Sequence, residues 1–167
     1  MELSLAQALR TMHLEALAYE HSVTLNHLEA AADDKLTFTP HDKSRPFHEI
    51  VHHIYDSGPW FASILETGKI AFEPPPPFSV PAKKSELRAL CQKLNDDYTA
   101  RIKALSGDKL TAMIPFGNMP ALPGVTYLSW HLNHLIHHRG QLSVYLRLMG
   151  AKVPSTYGGS ADVPFQM

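Results

Sequence analysis

Residues 127–150, YLSWHLNHLIHHRGQLSVYLRLMG, decide the fold. On a helix of 3.6 residues per turn, Leu128, Leu132, Leu135, Leu142, Leu146 and Met149 fall on one face and supply a stripe of core. A second stripe carries chemistry. Tyr127, His131, His134, His138, Gln141 and Tyr145 follow one another at steps of four and three, so their side chains leave the helix on one side. The segment predicts a helix over about 125–149, stopped by Gly150, with one face to pack and another to hold a ligand.

Working outward, the upstream sequence supplies three more amphipathic segments. Leu5, Leu9, Met12, Ala16, Tyr19, Val23 and Ala30, with Asn26 as the one polar member, predict a first helix over about 4–32. Ser44 is a candidate cap for a second, with Pro46 in its first turn, Phe47, Ile50, Ile54, Phe61, Ile64 and Leu65 as its apolar side, and Gly68 as its stop. Gly58-Pro59 inside that pattern predicts a kink, because proline lacks a backbone donor and crowds the preceding turn. Leu87, Leu90, Leu94, Tyr98, Ile102 and Leu105 predict a third helix over about 82–105, ended by Gly107, with Cys91 a small core residue. Between helices two and three, EPPPPFSVP at 73–81 excludes helix and predicts an extended connector. Residues 108–124 read as irregular, with at most one short strand at LTAMIPF. Four long helices without a convincing strand pair predict an all-α four-helix bundle in one domain, with an irregular tail from about 151.

Composition narrows the function classes. The 167 residues are 44% hydrophobic, enough for one core without disulfide or metal staples. Lys and Arg number 15 against 16 Asp and Glu, a net charge of -1, which argues against nucleic acid as the main partner. No stretch approaches the roughly 18 apolar residues of a membrane span, and no signal peptide is visible. The lone Cys91 excludes an intramolecular disulfide, so a cytoplasmic protein acting on a small molecule is expected. The surplus is in histidine: of 11, seven lie in windows 48–53 and 131–138.

His134 and His138 form an i, i+4 pair, the helical spacing that lets two imidazoles reach one metal ion. A third ligand must come from another helix. In helix two, Ile50, His53, Ser57, Trp60 and Ile64 share one face and His48, His52, Tyr55 and Ala62 another; the first is the better candidate for the interior, which selects His53 over His52. Burying three neutral imidazoles costs desolvation unless their nitrogens find partners, and a divalent metal is such a partner. His137 points elsewhere. Gln141, one turn beyond His138, is placed to orient a ligand, and Tyr145 and Tyr127 are candidate donors to a developing oxyanion, so Gln141 and Tyr145 are the candidate catalytic residues. Arg139 faces the leucine stripe and is expected to pair with another helix, and Gly140 to admit a close neighbouring backbone.

The run NHLIHHRGQLSVYLRLMGAKVP at 133–154, with EIVHHIYDSGPWF at 49–61, strongly resembles the DinB-like superfamily of metal-binding four-helix bundles, which includes the YfiT-like proteins. The likeness extends from helix one to about Tyr157, and its most specific element is the Asn133 to Gln141 string. The resemblance implies that His53, His134 and His138 match a three-histidine metal site, and that the protein is a metal-dependent hydrolase or thiol S-transferase, often a homodimer in that family. Gly58-Pro59 departs from the many relatives with an acidic residue and another helix former there.

Three histidines leave one position of a zinc shell open, the pattern of a catalytic site that activates water or holds a thiolate. Imidazole suits zinc, nickel and iron alike, with zinc or nickel expected. The expected function is therefore transfer of water or a low-molecular-weight thiol to a small electrophile. The competing readings are a non-catalytic metal-binding stress protein and a plain helical dimerisation module.

Overall fold

The computed structural model describes residues 1–72 and 78–164. Its elements are α1 (Leu3–Ala30), a 3-10 turn at Asp33–Lys35, α2 (Phe47–Thr67), α3 (Lys84–Ala104), the short α4 (Gly107–Thr111), β1 (Met113–Phe116), β2 (Met119–Pro123) and α5 (Gly124–Leu148). The four long helices form the bundle, and α1 and α2 each pack against both α3 and α5. The ring order is therefore α1, α3, α2, α5, with the first two helices of the chain diagonal to one another. The 31–46 connection makes this crossing, pinned where Leu36 is buried and Phe47 N–H and His48 N–H donate to Phe38 O and Leu36 O at 3.0 and 2.9 Å.

The element ends show which local signals acted. Gly68 and Gly150 terminate their helices in the left-handed region, at φ 69 and 75, where a Cβ would be strained. Ser44 does not cap α2: the helix follows Pro46 with no side-chain cap, and the Ser44 N–H instead closes a turn on His41 O at 2.8 Å. Gly107 does not simply end α3. It starts α4, where a Cβ would lie 2.2 Å from Leu3 Cδ1. The segment after it holds an antiparallel hairpin, β1 with β2, in place of one lone strand. Its turn residue Gly117 has φ 54, so Gly117-Asn118 is the two-residue hairpin signal in the sequence. The connector expected at 73–81 falls largely outside the described residues.

The expectation about the buried face of α1 fails because polar side chains occupy core positions. On α1, Leu5, Met12 and Tyr19 are exposed; of the expected stripe Val23 is buried, and the rest of the buried face is Ala6, His13, Leu17, Glu20, Thr24, Leu25, His27 and Leu28. Hydrophobic periodicity pointed away from that face because nearly half of it is polar. Glu20 and His27 reach partners across the bundle, whereas among the described residues Thr24 Oγ1 and His13 Nδ1 are buried without one. The buried Arg139 lies 3.4 Å from Glu20 and donates to Tyr157 Oη at 2.7 Å, and Tyr157 in turn donates to Glu20. His27 bonds Val23 O and Ser143 Oγ at 2.8 and 3.0 Å.

On α2 both faces are used. His48, Tyr55 and Ala62 are buried along with Ile50, Ser57 and Ile64, because α2 has neighbours on two sides. The helix continues through Pro59, and Gly58 explains the departure there. An added Cβ would meet Tyr98 Cβ at 3.2 Å, so the glycine lets α2 close on α3. Gly140, by contrast, has nothing within 4 Å of an added Cβ and admits no close neighbour among the described residues.

Candidate metal centre

α2 and α5 pack side by side, and the i, i+4 pair on α5 meets one side chain from α2. His53, His134 and His138 each offer one ring nitrogen within 4.8 Å of the others, and no other such group of three lies among the described residues. The rings of His134 and His138 are 4.5 Å apart between centroids, and His53 lies 4.9 and 4.7 Å from them. His53 Nε2 and His134 Nε2 approach to 3.2 Å. In a tetrahedral zinc shell with nitrogens at about 2.0–2.1 Å from the ion, ligand atoms lie roughly 3.3 Å apart, so this pair already has the separation of two ligands.

The other ring nitrogens set the tautomers. His138 Nδ1–H donates to Gln141 Oε1 at 2.9 Å, which leaves Nε2 as the lone pair. Asp56, one turn after His53, holds a carboxylate oxygen 3.2 Å from His53 Nδ1 and the other 3.6 Å from His52 Nδ1. That favours a proton on His53 Nδ1 and directs its Nε2 at the cluster. His134 Nδ1 is buried without a partner. Burial, then the neighbouring His138 and His53, lower the His134 pKa to about 4, and burial also lowers that of His138. At neutral pH both are neutral rings with a lone pair to offer, the state a divalent metal requires. Donor type, spacing and the tautomers of His53 and His138 fit such an ion.

Two open cavities reach the cluster. One, of about 690 Å³, is walled largely by apolar groups, Trp60, Phe61, Phe78, Leu90 and Leu94, and reaches His53 and His134 at its polar end. The other, of about 380 Å³, reaches His138 and Gln141 from the side of Ser44 and Tyr145. Leu90 and Leu94 are only half-buried on α3 because they line the larger cavity.

The structure separates the rest of the α5 stripe from this site. Tyr127 is buried and donates to Ile114 O at 3.1 Å, tying the hairpin to α5, so it cannot serve as an oxyanion donor. Tyr145 borders the smaller cavity, but its hydroxyl proton goes to Arg45 O at 2.9 Å; the expected donor instead anchors the chain entering α2. His131 points into the bundle, with its ring 4.1 Å from Tyr98 and 5.8 Å from His13. His137 is exposed. Sequence reasoning passed over Asp56, although His53 and Asp56 stand at the i, i+3 spacing that brings two side chains together on a helix.

The sequence profile of the DinB family matches residues 7–163. The chain belongs to the DinB family. A curated relative, the uncharacterized protein YjoA of Bacillus subtilis (strain 168), is 28% identical over 135 residues, covering 77% of this chain and 83% of that one. The crystal structure of YjoA, a DinB-like protein, superposes with a TM-score of 0.70 at 23% identity over 87% of this chain and 97% of that chain. A DinB-like protein from Bacillus cereus ATCC 10987 gives 0.71 at 24% identity, covering 87% and 95%. YfiT from Bacillus subtilis, described as a probable metal-dependent hydrolase with an unusual four-helix bundle topology, gives 0.68 at 18% identity, covering 86% and 89%. These solved relatives share the bundle fold of this DinB-family chain.

Proposed function

We propose that this DinB-family protein is a metal-dependent enzyme that delivers water or a small thiol to a small electrophile, with His53, His134 and His138 as the ligands of one divalent ion, zinc or nickel. One observation carries the reading: three imidazoles from two helices converge at the polar end of an apolar cavity of about 690 Å³. When bound, the ion supplies Lewis acidity, which makes a weak nucleophile reactive near neutral pH. The chain does the rest. Gln141 and Asp56 keep His138 and His53 in the tautomers that face the ion, and Phe61, packed 6.4 Å from the His134 ring, keeps bulk water from that side. The apolar walls hold the electrophile's body and strengthen electrostatic interactions at the polar end by excluding solvent. The description of YfiT as a probable metal-dependent hydrolase supports the hydrolytic arm.

The test pairs elemental analysis of untagged protein with a panel of small esters and amides, and of electrophiles offered with thiols. Turnover that requires added metal, and is lost in His134→Ala, supports the reading. A metal-loaded protein inert across the panel would favour a binding protein whose histidines tie α2 to α5.

A further inference from the structure

The larger cavity carries a charge that the metal-centred reading does not use. Arg88, Arg101, Arg139 and Arg147 each lie within 4.0 Å of a carboxylate, and Arg10 donates to Leu105 O at 2.8 Å. Arg45 differs. Among the described residues no carboxylate lies within 4.0 Å of its guanidinium, and the side chain is exposed on the rim shared by both cavities. Its backbone is fixed: Arg45 O accepts the Tyr145 hydroxyl at 2.9 Å, and Pro46 follows with φ -58 ahead of the buried Phe47. A guanidinium on a pinned main chain loses less freedom on binding than one on a mobile loop.

We propose that Arg45 anchors an anionic group of the substrate, and that the substrate is a small, planar, apolar monocarboxylate whose body lies in the larger cavity. This rests on the metal-centred reading for the chemistry, but not for the binding. The planar body follows from the walls: the Phe78 ring stacks on His52 at 5.3 Å and 25°, and Trp60 and Phe61 stand edge to face at 4.9 Å. Flat faces of this kind favour a flat guest. The single negative charge follows from the polar groups. One guanidinium matches one carboxylate in a two-bond fork, and the Asp56 carboxylate in the same wall opposes a dianion such as a phosphate monoester.

The test uses 2-naphthoate and its neutral isostere 2-naphthamide, titrated calorimetrically against the full chain with and without one equivalent of zinc. The expected result is that naphthoate binds roughly tenfold more tightly than naphthamide, zinc or no zinc. Arg45→Gln should abolish that preference while leaving naphthamide affinity and zinc stoichiometry unchanged, and Arg45→Lys should restore part of it. A preference that survives Arg45→Gln and disappears when zinc is withheld would place the carboxylate on the ion and overturn the proposal. Failure of naphthoate to bind at millimolar concentration would overturn it too. Failure of the metal reading looks different: no zinc bound, with the Arg45 dependence intact.

Discussion

Helix α5 carries histidines into two clusters one turn apart, and they could hardly differ more. In the outer cluster, His53, His134 and His138 are half-buried, face one another, and two of them have a polar group beside Nδ1. In the inner cluster, His131 is packed against Tyr98 and His13, and His13 Nε2 shares a 2.9 Å hydrogen bond with Tyr98 Oη. There His13 Nδ1 and His131 Nδ1 are buried with no partner. The same residue type at the same helical spacing thus gives a ligand set in one place and a polar core in the other. What separates them is the neighbouring helix: α2 brings a third imidazole and Asp56 to the outer cluster, whereas α1 and α3 bring one imidazole and a phenol to the inner one.

The largest expected effect sharpens this contrast through metal affinity. His53→Ala, His134→Ala or His138→Ala should each weaken zinc or nickel binding by orders of magnitude, read by competition with a chelating dye, because three protein ligands leave little redundancy. His131→Ala should leave that affinity nearly unchanged and cost about 2–4 kcal/mol of unfolding free energy in the metal-free protein, since it empties a packed core site. A loss of metal affinity in His131→Ala comparable to that in His134→Ala would erase the distinction.

Acid should expose the inner cluster. Burial lowers the His13 pKa to about 4 and holds His131 well below the ordinary histidine value. With folded-state values below the unfolded value of about 6.5, the unfolded chain binds more protons in between, so stability is full above pH 6.5 and is lost as the pH falls toward 4. Each buried histidine contributes a slope of up to about 1.4 kcal/mol per pH unit in that window. Denaturant titrations of metal-free protein at pH 7, 6 and 5 check it, and His13→Gln should flatten the curve. An unchanged slope in that variant would remove His13 from the account.

The smaller effects concern the groups that orient the ligands. Asp56→Asn should weaken metal binding by about 10–100-fold, and Gln141→Ala should fall at or below the lower end of that range while slowing turnover. Smallest is the consequence of removing the ion: chelation should lower the melting temperature without loss of helical circular dichroism at room temperature, because the core of the bundle contains none of the three ligands.

How much of this was legible in the sequence follows the same division. The leucine stripe of α5, the i, i+4 histidine pair and the glycine stops are local features, and local periodicity suffices to see them. The ring order of the helices was not visible, because it depends on where the 31–46 connection lands. The buried face of α1 was hidden by His13, Glu20, Thr24 and His27, and the partners of His13, Glu20 and His27 lie across the bundle, where no local pattern reveals them. The hairpin was legible in Gly117-Asn118 and was passed over in favour of the prolines around it. Selecting His53 by helical face reached the ring that meets His134, though on incomplete grounds, since the opposite face of α2 is buried as well. Tyr127 and Tyr145 share the phase of the histidines, but their hydroxyls reach past the site to Ile114 O and Arg45 O, a distinction of reach that spacing alone does not carry.

The most direct test of the central claim is the metal stoichiometry of untagged protein, with wild type, His53→Ala and His131→Ala dialysed against limiting zinc or nickel and assayed by elemental analysis. The account predicts about one equivalent per chain in wild type and in His131→Ala, and close to none in His53→Ala. Equal metal content in wild type and His53→Ala, or none in wild type, would contradict it.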